Sequence, residues 1–201
     1  MSKLIVVLGP TATGKTKLAV KIANKYRGEI ISADSRQIYK GMDIGTGKDL
    51  NEYQINHHCI SHHLIDILDP QINYSVFQFK QDFIKVYNSL LEKKKLPILC
   101  GGTGLYIESV LLNYQIPNVG PNDNLREMLN EKSLEDLSKH LKAISIDQYD
   151  EKYHITKRRI IRTIEIIKSK KTSHYSQAIN IKNPLIIGID FERGQLLNNI
   201  K

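Results

Sequence analysis

Cysteine is scarce in this chain. Cys59 and Cys100 stand far apart, each in an apolar or mixed context. That spacing excludes a disulfide framework and fits reduced thiols in a cytoplasm. No apolar run approaches the roughly 18 residues of a membrane span, so no membrane partner is expected. Only Lys3 precedes the first short apolar run, and Gly9 ends it. That stretch reads as a strand and not as a signal peptide. Internal repeats and low-complexity segments are missing too. What is left is 201 residues, 41% of them hydrophobic: enough for one sizeable domain, or a core with a small insertion.

Acids are outnumbered by bases, 21 to 29, for a formal charge of +8. The excess suits a polyanionic partner. Lysine is abundant alongside Ile and Asn, as nucleotide bias would also produce, so charge alone does not decide for nucleic acid.

The pattern along the chain is α/β. Leu4–Leu8 reads as a short buried strand, Thr16 to Tyr26 as a helix, and Glu29–Ala33 as a second strand. Ser75 is placed to cap a helix from Val76 to Glu92, with Val76, Phe79, Phe83, Val86 and Leu90 on its apolar face. Pro97 leads into strand Ile98–Cys100, and "GGTG" turns into a helix over Leu105–Leu112. Alternating strands and helices predict a parallel sheet flanked by helices. From Asn118 to Asn183 no strand pattern occurs. "SLED" at Ser133–Asp136 is a capping box, and His154–Ser169 reads as a dense basic helix. Pro184 then introduces "LIIGID", a strand returning to the sheet. The expected organisation is a P-loop core over 1–117, an inserted all-helical domain over 118–183, and a return strand with the start of a helix over 184–201.

Gly9-Pro10-Thr11-Ala12-Thr13-Gly14-Lys15-Thr16 matches G-x-x-x-x-G-K-[ST] in full, between a strand and a helix. Glycines allow the turns, successive N–H groups and the helix N-terminus face an anion, Lys15 adds a positive charge, and Thr16 offers a hydroxyl to Mg²⁺. The motif specifies a di- or triphosphate without specifying ATP. The acid that ATP-hydrolysing P-loop proteins carry at a strand end is missing here. "LPILC" runs into Gly101 without a carboxylate, while Asp66 and Asp69 in "HHLIDILD" have loop-like flanks. A phosphate substrate used for something other than attack by water is the implication.

Asp34 follows the second strand, at the end of the sheet where ligands bind in open α/β folds. Its residue type suits a turn cap, or a general base beside a diphosphate. The stretches "GPTATGKT", "DSRQIYKGMDIGTGK", "HHLID", "YSVFQF" and "GGTGLY" occur in the order and spacing of the tRNA dimethylallyltransferases, which this chain resembles over essentially its whole length. The resemblance implies transfer of a dimethylallyl group from dimethylallyl diphosphate to the exocyclic N6 amine of the adenosine 3′ of the anticodon, by a cytoplasmic monomer that uses Mg²⁺. It makes Asp34 the base and Ser35, Arg36 and Gln37 a tRNA-contacting run. It places Thr103 against tRNA near the reacting centre, although Thr103 alone reads as a turn residue.

The segment "KYHITKRRIIRTIEIIKSKK" carries Lys152, Lys157, Arg158, Arg159, Arg162, Lys168, Lys170 and Lys171, with Glu165 its lone acid. Ile155, Ile160, Ile161, Ile164 and Ile167 supply its buried stripe. The basic face of such a helix is commonly just solvated, yet one sign of charge suits an RNA backbone. By resemblance to the family's "RI-x-R-ALE" helix, Arg158, Arg159, Ile160, Ile161 and Arg162 fall in a tRNA-contacting run, and Arg126 matches a further contact. The histidines of "NHHCISHH" (His57, His58, His62 and His63) fit no zinc spacing. Family members usually continue past Lys201 and carry an arginine where this chain has Asn199 just before Ile200, so a fragment or a lost part of the machinery is expected. Three other readings stay open: a P-loop small-molecule kinase, a prenyltransferase for free adenine nucleotides, and an inactive RNA-binding remnant. The first two would need no RNA, and the third would release no pyrophosphate.

Overall fold

The computed structural model describes residues 4–48, 50–55, 58–169, 175–192 and 194. The chain divides into two compact units, Met1–Gln115 with Gln177–Lys201, and Ile116–Ser176.

The first unit is built on a five-stranded sheet. β1 (Ile5–Leu8), β2 (Gly28–Ser32), β5 (His62–His63), β6 (Leu96–Gly101) and β7 (Leu185–Gly188) are ordered β5-β2-β6-β1-β7, and every pair is parallel. Val6, Val7, Ile30, Ile31, Ile98 and Leu99 are fully buried. Unbroken apolar strands of this kind belong to a parallel sheet covered on both faces. On one face, α1 (Lys15–Tyr26) packs Ala19, Val20 and Ala23 with Ile30 and Ile98. On the other, α2 (Val76–Glu92) and α3 (Gly104–Leu111) pack Phe79, Phe83 and Tyr106 with Val6, Ile31 and Leu99. The Ser75 cap forms as expected. Gln78 N–H donates to Ser75 Oγ at 3.3 Å, and Ser75 N–H donates to Gln78 Oε1 at 2.8 Å.

Two features escaped periodicity. Lys80 is fully buried in α2, where its ammonium donates to Asn113 Oδ1 at 3.0 Å and to the Tyr114 carbonyl at 2.7 Å. Burial lowers its pKa. β5 is a two-residue edge strand that carried no strand pattern, and β3 (Gln54–Ile55) and β4 (His58–Cys59) form a small antiparallel pair beside it in sequence. β7 returns to the sheet as expected, as an edge strand with Leu185 and Ile186 half exposed.

The second unit packs α4 (Asp123–Asn130), α5 (Leu134–Ile144) and α6 (Lys157–Lys168) around Leu129, Leu137, Leu141, Ile160, Ile161 and Ile164. Ser133 caps α5 by accepting from Asp136 N–H at 3.0 Å. The basic helix begins at Lys157 behind a Thr156 cap, three residues later than the periodicity placed it. Residues 177–183 were expected with the helical segment. Ile179 and Ile181 instead pack against the core of the sheet unit, and Ile179 N–H donates to Asn113 Oδ1 at 3.0 Å. Lys170, Lys171 and the expected helix start after Phe191 lie outside the described residues, Gly194 excepted.

Candidate active site

The phosphate loop leaves the end of β1 at Gly9, where a Cβ would collide with the Ile189 carbonyl, so only glycine fits. α1 begins behind Gly14, a left-handed cap with no side chain to offer the first-turn N–H groups. A helix start without a side-chain cap is suited to an anion. The Pro10 carbonyl takes the Lys15 ammonium and, at 2.8 Å, the Thr13 hydroxyl. Burial lowers the pKa of Lys15, partly offset by Cys100, Asp34 and Glu52.

These groups open on a cavity of about 420 Å³ that Thr11, Ala12, Gly14, Lys15 and Thr16 line from one side and Asp34 and Gln37 from another. The C-terminal end of β6 floors it with Cys100 and Gly101. A Cβ on Gly101 would strike the Ala33 carbonyl, which lets β6 run tight against the strand end that carries Asp34. Burial pushes the Cys100 thiol up to about 12, against the lowering effect of Lys15. It stays a neutral floor residue. The strand end that usually holds a metal-binding acid thus presents a thiol and a glycine.

Asp34 caps a turn and also lines the cavity. Its Oδ1 accepts from Arg36 N–H at 2.8 Å and Gln37 N–H at 3.3 Å, capping the turn after β2. Its Oδ2 accepts no hydrogen bond from the described residues, and the side chain lines the cavity with Lys15 and Thr16. Thr103 steadies this turn from the start of α3. Its N–H donates to the Ala33 carbonyl at 3.1 Å, and its Oγ1 accepts from Ser35 N–H at 3.0 Å. Gln37 spends its amide internally, donating to the Gly47 carbonyl at 3.1 Å and accepting from Ser32 Oγ at 3.2 Å. Arg36 is exposed.

The remaining wall was not foreseen. Asp43, Gly45, Thr46, Gly47 and Lys48 of the "DIGTGK" loop line the cavity, with Glu52 and Tyr53. The buried Lys48 ammonium anchors the loop. It bonds the Asp66 carboxylate, pairs with Asp43 at 2.7 Å and donates to the Tyr39 carbonyl at 3.1 Å. Burial would lower its pKa, but the hydrogen bonds to Asp43 and Asp66 outweigh that and raise it. Asp66, a candidate metal acid by sequence, is therefore a partner of Lys48, and Asp69 sits near Lys40 at 3.9 Å; neither lines the cavity. Glu52 and Tyr53 fall on a 3-10 turn with no sequence signal.

Mg²⁺ prefers hard oxygen donors and keeps several of its waters. The Thr16 hydroxyl and the Asp34, Asp43 and Glu52 carboxylates supply oxygen to this cavity. Among the described residues no cluster of three His, Cys, Asp or Glu is close enough to cage a metal unaided. This donor set fits an ion that arrives with a diphosphate. His62 contacts the Tyr53 ring at 4.4 Å, and His63 Nε2 meets Glu29 Oε2 at 2.9 Å. His57 lies outside the described residues.

In the helical unit the expected tRNA-contacting residues separate. Ile160 and Ile161 are core residues at 0% and 4% exposure, a correction to their expected place in the contact run: the stripe that makes α6 amphipathic faces Leu137 and Leu141. Arg126 grips Glu165 with two bonds, of 2.7 and 3.0 Å. Arg162 donates to Glu165 at 3.1 Å and to the Val119 carbonyl at 2.7 Å. Glu165 itself is buried and also accepts from Asn122 N–H at 2.9 Å. Arg158 and Arg159 are exposed. Among the described residues Arg158 makes no hydrogen bond or ion pair, while Arg159 donates to the Tyr153 carbonyl at 3.1 Å. Asn199 and Ile200 lie outside the described residues, and no described helix is long and apolar enough to cross a membrane.

A family model described as IPP transferase matches residues 37–201. The chain is 49% identical over 191 residues to tRNA dimethylallyltransferase 2 of Bacteroides fragilis and 48% identical over 194 residues to tRNA dimethylallyltransferase 1 of Parabacteroides distasonis. These matches take in 94% and 95% of this chain but 62% of either relative, so the chain spans less than two thirds of their length. The full-length tRNA isopentenylpyrophosphate transferase of Bacillus halodurans superposes with a TM-score of 0.62 at 35% identity, over 100% of this chain and 64% of that one. A eukaryotic dimethylallyltransferase acting on tRNA shares the fold, with a TM-score of 0.70 at 23% identity over 94% of this chain and 48% of its own. By sequence and by fold, the chain belongs to the IPP transferase family.

Proposed function

We propose that this chain transfers a dimethylallyl group from dimethylallyl diphosphate to N6 of the adenosine 3′ of the anticodon in tRNA, acting in the cytoplasm as a monomer. The observation that carries the reading is a carboxylate, Asp34, in the same cavity as the phosphate loop, while the strand end beside it offers no acid to hold an attacking water.

The allylic C1–O bond breaks as the C1–N6 bond forms, pyrophosphate leaves, and the N6 proton passes to Asp34. Negative charge grows on the diphosphate. The loop N–H groups and the uncapped start of α1 stabilise it in this reading. Lys15 exchanges the Pro10 carbonyl for a diphosphate oxygen. The Thr16 hydroxyl would hold Mg²⁺, which would further neutralise the leaving group. The adenine amine is a weak nucleophile, because its lone pair is delocalised into the ring. With Oδ1 committed to the turn, Oδ2 of Asp34 is the oxygen left to take the proton. An unpaired loop base can leave its stack to reach such a site. Arg36, Ser35, Thr103, Arg158 and Arg159 are the RNA-facing groups in this reading, and Arg126 and Arg162 shape the unit that presents the last two.

Incubation with Mg²⁺, dimethylallyl diphosphate and an unmodified anticodon stem-loop should add one C5H8 to the RNA by mass. Turnover of ATP with a small acceptor, and none of RNA, would replace this reading with a kinase.

A further inference from the structure

Five side chains of the helical unit form one continuous ladder that the reaction above does not use. Lys142 Nζ lies 4.3 Å over the Tyr149 ring. Tyr149 stacks on His154 with centroids 5.4 Å apart and planes at 13°. His154 meets Tyr153 edge to face at 5.0 Å and 90°. The Arg159 guanidinium sits 4.9 Å from the Tyr153 centroid.

The middle of the ladder is fixed. His154 is buried, its Nδ1 accepts from Asp150 N–H at 2.9 Å, and its Nε2 meets the Thr163 hydroxyl at 2.9 Å. That hydroxyl donates in turn to the Arg159 carbonyl at 3.1 Å. The ladder runs from this buried ring to an exposed one. Tyr153 is 50% exposed and Ile155 next to it 60%. Lys152, Lys157 and Arg158, near them in sequence, are exposed, as are the acids Asp147, Asp150 and Glu151 on the N-terminal side.

A lone exposed aromatic on a surface needs no explanation. Tyr153 differs because its ring contacts His154 and Arg159 and the exposed charges that follow it, Lys157, Arg158 and Arg159, are all basic. A fixed aromatic face within a positive groove is how proteins hold unpaired nucleotides without reading their sequence. We propose that Tyr153 is a stacking platform for an unpaired base of the RNA. Arg159 covers one side of its ring, and Lys152, Lys157 and Arg158 take adjacent phosphates. The proposal rests on the reading that this chain binds tRNA. It adds a residue that the basic motif alone does not point to.

The test is binding of the unmodified anticodon stem-loop, followed by fluorescence anisotropy with no turnover required. Tyr153→Leu keeps apolar bulk but removes the π face and should weaken binding by roughly 5- to 150-fold, the range for losing one stacked base. No charge is removed, so the slope of log affinity against log salt should stay as in the wild type. Tyr153→Phe should bind like the wild type. The chain has no tryptophan. Tyr153→Trp therefore gives a single indole, whose emission should be quenched by the stem-loop and not by pyrophosphate. Wild-type affinity in Tyr153→Leu, or an indole unmoved at saturating RNA, would overturn the platform and leave the tRNA reading standing. Failure of the wild type to bind the stem-loop would overturn both.

Discussion

Thr103 holds the backbone on both sides of Asp34. Its N–H reaches the carbonyl before the aspartate and its hydroxyl takes the N–H after it, at 3.1 and 3.0 Å, across 68 residues of sequence. The end of β2 is thereby locked to the start of α3, and the carboxylate direction is set by two strands' worth of sheet. Thr103→Val keeps the shape and removes the acceptor. It should lower the single-turnover rate by about 10- to 100-fold, the scale on which misplacing a catalytic group acts. Thr103→Ser should recover most of the loss. The affinity for pyrophosphate, measured by calorimetry, should be unchanged in both.

Glu165 is held at the centre of the helical unit by Arg126, Arg162 and Asn122 N–H. Burial alone would raise its pKa, but these partners outweigh that and hold it below the ordinary 4.5. A depressed folded value means that the pair stabilises fully above the unfolded value. The contribution is lost as pH falls from about 4.5 through the folded value. Thermal unfolding followed by circular dichroism from pH 7 to pH 3 should show this acid loss. Glu165→Leu should abolish that part of the pH dependence and cost about 3 kcal/mol at pH 7, the low end for breaking a buried pair because both arginines keep some access to water.

The split among the basic residues gives a contrast. Arg158→Gln should leave the unfolding temperature unchanged, weaken stem-loop binding, and reduce its salt slope by about 0.7 to 0.9, one phosphate contact. Arg162→Gln should act on folding first, lowering the unfolding temperature through the Glu165 and Val119 contacts. Salt titrations paired with thermal melts distinguish the two.

How much of this was legible depends on the kind of signal. The phosphate loop, β1, β2, β6 and α2 announce themselves through local rules: an apolar run, a glycine pattern, a Ser75 cap with Gln78 three residues on. The helical character of the second unit was equally readable. Roles set by distant partners were not. Nothing in the basic run says that Arg162 turns inward, because that depends on Glu165 being buried and on Arg126 reaching it from another helix. Ile160 and Ile161 fall inside the family's contact run, yet their spacing with Ile164 already marks a buried stripe, and they are core; Ile155, read with the same stripe, lies ahead of the helix and is exposed. Lys48, Glu52 and Tyr53 join the cavity through a loop without periodicity, anchored by an ion pair 18 residues apart in sequence.

Lys48 offers a fourth test. Its ammonium is the shared partner of Asp43 and Asp66, so Lys48→Met leaves two carboxylates facing each other at the wall of the cavity. Stability should fall by about 3 kcal/mol, and affinity for pyrophosphate with it, as read by denaturant unfolding and calorimetry. Asp43→Asn in the Lys48→Met background should recover part of both losses by removing the repulsion.

The most direct measurement is the single-turnover rate of Asp34→Asn with saturating stem-loop and dimethylallyl diphosphate. An asparagine oxygen can still cap the turn by accepting from Arg36 and Gln37, but it cannot take the N6 proton. The rate should fall by about 100- to 10,000-fold, the usual scale for general base catalysis. Melting temperature, pyrophosphate affinity and stem-loop affinity should all stay close to wild type. A rate within a few-fold of wild type would show that Asp34 caps a turn and does no proton chemistry.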